Sequence, residues 1–448
     1  MQPAVSLRDV FNAADPTLPL ESGDPRYVDC TPVRGNEDVV RQLYETIIWS
    51  NRKTAQLFTG HRGCGKSTEL LRLKNRLEEA DYAVIYFAAD DVLDLNDIVY
   101  SDVLVAIASQ VYAGLAEAGV GINQELLDET LAWFAEVVYQ YDSAKAAQAA
   151  LEAEFRFSVP KLVSPFAQLM AKITGQLRTS VESKRQVRQK LDPQLSQLID
   201  RINLLLLDGQ LGLRKAGKQG LVVIIDNLDR IPYRTLPDAQ RNSHDALYID
   251  HGEQLTSLNC HLVYTVPIAM FYSTQASILG SIFPDHLIMP MIKVHDRNDQ
   301  PYPPGLAALR DILARRTDLA QVFDEAALSL LIAECGGHPR DLMTLVRYAC
   351  RYAANRFPRP IDSNAAQRAV DRLVNDYGRM IPEEHFPLLV QVARSKQVEN
   401  DDAHRLMLHN LSVLEYVNGA PVWHDVHPVV RRLPKFQEAE SHGRNGDA

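Results

Sequence analysis

Apolar residues in this chain fall into two kinds of pattern. Short β-branched or aromatic runs of strand length occur at 55–59, 83–88, 221–225, 261–266 and 286–294. The stretches between them carry the three-to-four-residue spacing of amphipathic helices. The sharpest run, LVVIID at 221–226, is apolar without alternation, as expected of a strand buried on both faces of a parallel sheet. Strands separated by helices predict an α/β fold: a three-layer α/β/α sandwich around a parallel sheet. One gap is much longer than a crossover requires. Residues 95–219 read as a mostly helical insertion, from IVYSDVLVAIASQVYAGLAEA, through an Ala-rich stretch at 126–154 and breaks at Val159-Pro160 and Ser164-Pro165, to the strongly periodic LDPQLSQLIDRINLLLLDGQLGLRKAG.

The pattern also places boundaries. Residues 1–54 form a lead-in, with Pro16, Pro19 and Pro25 in an irregular start before the amphipathic NEDVVRQLYETIIWSN. The α/β core spans 55–300, and 301–380 form a helical lid. In the lid EAALSLLIAECGG stops at Gly336-Gly337, and the next helix opens with Pro339 in its first turn. At 381–436 two helices precede LSVLEYVNGAPVWHDV, where an Asn-Gly turn separates two β-like runs; this predicts a winged-helix-like domain. The polar tail at 437–448 is expected to be disordered.

Composition narrows the function classes only modestly. A 448-residue chain with 46% hydrophobic and 23% charged residues suggests two or three globular domains rather than wholesale disorder. A net charge of −10 argues against non-specific coating of nucleic acid. The basic stretch at 178–190 (Arg178, Lys184, Arg185, Arg188, Lys190) reads as a solvated helix face in preference to a nucleic-acid or subunit contact. No apolar run reaches membrane-spanning length and the first residues lack a signal-peptide pattern, so a cytoplasmic location without membrane association is expected. The five cysteines show neither metal-ligand nor disulfide spacing. His424 and His427 near a strand end are read as structural rather than as metal ligands.

The chemistry concentrates at AQLFTGHRGCGKSTELL. Gly60, Gly65, Lys66 and Ser67 satisfy G-x-x-x-x-G-K-[ST] between a strand and a helix, and Gly63 adds a further glycine. A loop that turns its N–H groups inward around phosphate oxygens needs backbone conformations that a Cβ opposes. The amides of Gly60, His61, Arg62, Gly63, Cys64, Gly65, Lys66, Ser67 and Thr68 are therefore candidate phosphate ligands. Lys66 supplies charge to the β- and γ-phosphates, and the Ser67 hydroxyl is a ligand for Mg²⁺. Cys64 beside Lys66 is either an oxidation-sensitive thiol or simply a small residue that fits. On the lead-in, Tyr27–Asp29 and Arg34–Glu37 are candidates for contact with the base, or else a strand and cap closing one edge of the core.

Asp226, where the 221–225 strand emerges, is placed to hold Mg²⁺ opposite Ser67. Asp90 and Asp91, after the second strand, come too early for that role. The residue following Asp226 is Asn227, which cannot act as a base; Asp229 is the nearest carboxylate that could orient an attacking water. Thr265 at the end of the fourth strand is read either as a hydrogen-bonding γ-phosphate sensor or as a cap for backbone groups. Arg340 at a helix start either reaches across a cleft to the γ-phosphate or is a surface or capping residue.

The series GHRGCGKST, IIDNLD, a strand ending YTVP, and GGHPRDL before a winged-helix-like segment resembles the AAA+/STAND group of P-loop ATPases over roughly 30–430. The resemblance implies ATP with Mg²⁺, the more so as no guanine-specific N-K-x-D is present. It implies γ-phosphate-sensing roles for Thr265 and Arg340; with Lys66, Asp226 and, in place of the acid missing at 227, Asp229, these are the candidate catalytic residues. It also implies a switch working through homo-oligomerisation or a partner effector protein, as in antiviral (anti-phage) defence signalling. The alternatives are an ATP-dependent DNA-loading protein, disfavoured by the balanced charge at 380–436, and an ATP-binding scaffold without hydrolysis, suggested by Asn227. Asn227 and the long insertion depart from the group's pattern.

Overall fold

The computed structural model describes residues 3–139, 164–179, 181–236, 241–354, 360–417 and 421–445. Five strands, β1 (Ala55–Gly60), β2 (Ala83–Ala88), β3 (Leu221–Asp226), β4 (His261–Val266) and β5 (Asp285–Met289), form one sheet in the order β2-β3-β4-β1-β5, every pair parallel. All of β3 is buried. Its side chains alternate between two cores: Leu221, Val223 and Ile225 face the helical insertion, while Val222 and Ile224 face the helices Val39–Trp49 and Lys66–Glu79. The fold is therefore a three-layer α/β/α sandwich. The fifth strand is shorter than its apolar run. It ends at Met289 because Pro290 has no N–H for the ladder. Beyond it, Met291 N–H donates to Glu415 and Lys293 N–H to Val33, tying the sheet's exit to the C-terminal hairpin and the lead-in.

The described part of the insertion consists of helices Tyr100–Glu117, Gln124–Tyr139, Pro165–Thr179, Val181–Leu191 and Leu195–Lys215. Val159-Pro160 and the end of the Ala-rich stretch lie outside the described residues. The basic stretch is less solvated than expected. Lys184 is buried and paired with Asp94 and Asp97, and Arg188 bridges Asp97 and Asp102. Burial pushes the Asp102 carboxyl up despite Arg188. These cations join two parts of the insertion rather than presenting a charged face.

Residues 301–380, expected to form a lid, contain helices Pro303–Ala314, Glu325–Glu334, Pro339–Ala353 and Ser363–Gly378. Gly305 and Gly337 mark close approaches to the core: a Cβ on Gly305 would lie 1.6 Å from the carbonyl oxygen of Lys293, and Gly337 is nearly as tight. With φ +73°, a Cβ there would lie 1.7 Å from the carbonyl oxygen of Ile292. After the lid, helices Phe386–Ser395 and Asp402–His409 precede the antiparallel pair β6 (Val413–Val417) and β7 (Val422–Val426). The Asn418-Gly419 turn lies outside the described residues. The tail differs from expectation: Pro434–Asn445 is a helix, anchored by buried Phe436 and by Lys435 paired with Glu383 at 2.6 Å. That anchor lies just upstream of the polar segment, which is why composition alone missed it. Among the described residues, no helix is long and apolar enough to cross a membrane.

Candidate nucleotide site

The loop between β1 and the Lys66–Glu79 helix lies at the carboxyl edge of the sheet. Gly65 precedes the helix at φ +113°, and no side chain caps the first-turn amides. Those amides and the helix dipole are thus available to an anion. Gly63, at φ +88°, has no room for a side chain: a Cβ would lie 2.7 Å from His338 Nε2 and 2.8 Å from Arg340 Cβ. Lys66 is 5% exposed, and its ammonium donates to the carbonyls of Gly60 and His61 and pairs with Asp229 at 2.9 Å. Burial alone would lower its pKa; the Asp229 charge outweighs this, and the net shift is upward.

Asp226 is buried at the tip of β3, where its carboxylate accepts from Tyr86 at 2.8 Å and from the Asn227 N–H at 2.7 Å, with Ser67 near enough to favour its charged form. Burial, reinforced by Asp229, raises its pKa against those donors. A serine hydroxyl and a carboxylate near each other beside a phosphate loop form a hard-oxygen pair that fits Mg²⁺. Asn227 adopts the left-handed conformation (φ 65°), and its side-chain amide donates to Asp90 at 2.8 Å. Arg230 donates to the other Asp90 oxygen at 2.6 Å. Asp90 and Asp91, set aside as metal ligands from sequence, both line the cavity.

That cavity, about 550 Å³, brings together Arg62, Lys66, Ser67, Asp90, Asp226, Asp229, Arg230 and Arg340. Burial lowers the Arg340 pKa, and neighbouring Arg230 and Arg62 add to the effect. The guanidinium groups of Arg62 and Arg340 suit a polyanion, while Arg230 is paired with Asp90. Thr265 is not at this wall. It is completely buried, its hydroxyl accepting the Leu228 N–H at 3.0 Å and lying 3.4 Å from the Ile225 carbonyl, so it braces the turn that carries Asp229. Asp229 itself is 5% exposed and engaged by Lys66.

Other loop residues also make contacts outside the cavity. Cys64 is buried in the core, and Arg34 donates to its carbonyl at 2.7 Å. Thr68 accepts the Leu20 N–H at 3.1 Å, drawing the lead-in over the helix start. The His61 ring points into the C-terminal hairpin, where Nε2 accepts the Glu415 N–H at 2.8 Å; burial holds its pKa well below the usual range. The Arg62 carbonyl is met by His338 Nε2 at 2.6 Å. His338 and His427 then approach Asp341 at 3.1 and 3.2 Å, and Tyr377 donates to it at 2.6 Å.

The cavity also has apolar and aromatic lining. Tyr27, Val28 and Arg34 line it, as do Ile312 and Met343 of the lid and the strap Pro16–Leu20. Asp29 and Gly35–Glu37 do not. The sequence reading passed over the strap because prolines in an irregular stretch carry no site signature. It passed over Asp90 because its role depends on which strand is β3's neighbour.

No family model matches this chain, and no curated protein does. Among solved structures it is similar to the Aeropyrum pernix ORC2 protein in its ADP form, at 13% identity over 97% of this chain and 96% of that one, with a TM-score of 0.43. The Walker-type ATPase of Pyrococcus abyssi is 13% identical over 94% and 99% of the two chains, TM-score 0.39. The Aeropyrum pernix ORC1 protein in complex with DNA is 14% identical over 98% and 97%, TM-score 0.37. At these values nothing about the site rests on the likeness.

Proposed function

We propose that the chain is an ATP-binding, ATP-hydrolysing switch of the AAA+/STAND type. The observation that carries this reading is the placement of Ser67 and Asp226 in one cavity with a glycine loop, its Lys66 and three arginines. Loop amides 60–68 bind the phosphates, and the base lies toward Tyr27, Val28, Ile312 and Met343. Ser67 and Asp226 would hold Mg²⁺, which supplies charge neutralisation at the β- and γ-oxygens. Lys66 exchanges its contact with Asp229 for phosphate oxygens, and Arg340 adds a lid-borne contact to the γ-phosphate. Thr265 acts through the Leu228 turn. Because lid and hairpin both grip the loop, nucleotide state biases the surface offered to a second copy or a partner protein.

DNA loading ranks lower. The Asp402–His409 helix, which would read a groove, packs inward: Arg405 is buried against Ala269 and Asp245, and His404, Met407 and Leu408 are buried with it. Its start instead exposes Asp401 and Asp402, the wrong sign for phosphate contact.

The test is Lys66→Ala in the full chain, with ATP hydrolysis measured at several protein concentrations. Turnover should vanish, and wild-type turnover in the variant sinks the reading. In the unmodified protein, a specific rate that rises with concentration indicates a site completed by a neighbouring copy.

A further inference from the structure

We propose that Asp90 is the catalytic carboxylate that activates the attacking water. The inference rests on the ATPase reading above. Position 227, next to the metal aspartate, holds an amide and so cannot take a proton. Asp229 is 5% exposed beneath Lys66, and its position suits holding the lysine rather than reaching a solvent-derived water. Asp226 is committed to Ser67, Tyr86 and the Asn227 backbone.

Asp90 lacks these restrictions. It follows β2 directly, and β2 pairs with β3 so that Ala88 lies opposite Asp226. This brings the Asp90 carboxylate over the Asp226–Asn227 corner. Asn227 Nδ2 holds one oxygen at 2.8 Å and Arg230 holds the other at 2.6 Å, yet the side chain is still 34% exposed within the cavity. The carboxylate is thus oriented by two donors and retains acceptor capacity for a water. The left-handed backbone at Asn227 directs its amide to this partner.

In the step that follows, the water oxygen bonds to the γ-phosphorus while the bond from that phosphorus to the β,γ-bridging oxygen breaks. One water proton passes to Asp90, and ADP leaves with the electron pair of the broken bond. Asp90 then returns the proton to solvent. Arg230 stays paired with Asp90 throughout and keeps the carboxylate aimed.

The experiment compares wild type, Asp90→Asn, Asp90→Glu and the exchanged pair D90N/N227D, measuring both fluorescent-ATP affinity and hydrolysis. Asp90→Asn should bind ATP within threefold of wild type and lose kcat by about 100-fold or more, within the range of general-base contributions. D90N/N227D, which restores one acid and one amide across the same contact, should recover to within about tenfold, and Asp90→Glu should retain partial turnover. An Asp90→Asn variant with wild-type kcat overturns the inference and leaves the nucleotide reading intact. A wild type that binds ATP without turning it over also overturns it. Failure of the wild type to bind ATP at all removes the reading on which it rests.

Discussion

Asp341 offers the most demanding test of how the lid is coupled to the phosphate loop. Its carboxylate oxygen accepts from Tyr377 at 2.6 Å and lies 3.1 Å from His338 Nδ1 and 3.2 Å from His427 Nε2. Burial works to raise the carboxyl's pKa, but the two histidines outweigh it and hold the group well below the carboxylate range. Asp341→Ala therefore removes the one acceptor shared by three buried side chains. Stranding the Tyr377 hydroxyl costs about 1–3 kcal/mol. Leaving the His338 and His427 ring nitrogens without this buried acceptor adds costs of the same kind, and because the three overlap the expected total is about 3–5 kcal/mol. Asp341→Asn keeps an acceptor for Tyr377 and should lose roughly half as much. Trp423, buried and stacked on Tyr416 in the hairpin, is a suitable fluorescence probe for urea unfolding of this region. A loss below about 1 kcal/mol in Asp341→Ala would refute the reasoning. So would unchanged ATP affinity, because His338 also grips the Arg62 carbonyl.

Two further outcomes are expected. Arg340→Ala should weaken ATP binding about tenfold or more while leaving ADP affinity nearly unchanged, the loss of a hydrogen bond to a charged γ-phosphate being about 1.5–3 kcal/mol; equal losses for both nucleotides count against a γ-phosphate contact. His244 is buried with its pKa lowered to about 4, first by burial. Folded protein leaves it neutral where the unfolded chain takes a proton, so its contribution to stability is intact above about pH 6.5 and falls by about 1.4 kcal/mol per pH unit between 6.5 and 4. His244→Gln should reduce the slope of unfolding free energy against pH by about one proton in that window, and an unchanged slope rules the assignment out.

What could be read from the sequence follows from how local each feature is. The strand–loop–helix at 55–79 and the buried run ending at Asp226 are fixed by contiguous residues, so pattern alone located them and the sheet they imply. The extent of β5 needed Pro290 to be seen as a ladder break rather than as one residue in an apolar run. Long-range pairing was inaccessible. Asp94, Asp97 and Asp102 neutralise Lys184 and Arg188 from about ninety positions away, and no periodicity announces that. Asp90 joined the site through strand order, because β2 is β3's neighbour although the insertion separates them. His61 looked like a loop residue whose amide alone mattered, whereas its ring is a bond to β6.

That last contact bears on how the proposed switch would work. A phosphate loop attached only to its own sheet would pass a signal to the lid through packed side chains, with losses at every step. Here three separate segments meet it directly. The lead-in reaches it through Arg34 at the Cys64 carbonyl, the lid through His338 at the Arg62 carbonyl, and the hairpin through Glu415 at His61. Glu415 in turn accepts from Tyr272 after β4, and its carbonyl accepts the Met291 N–H after β5. A small rearrangement of residues 61–64 on phosphate binding must therefore be accommodated by all three at once or resisted by all three. The polypeptide order explains why such different segments converge: chain leaving the sheet at Pro290 pairs with the hairpin, so the C-terminal segment is laid against the β1 loop. Coupling between nucleotide and exposed surface then requires only that these three grips differ in strength between the two loop conformations, because a ligand shifts an equilibrium by its differential affinity and by nothing else.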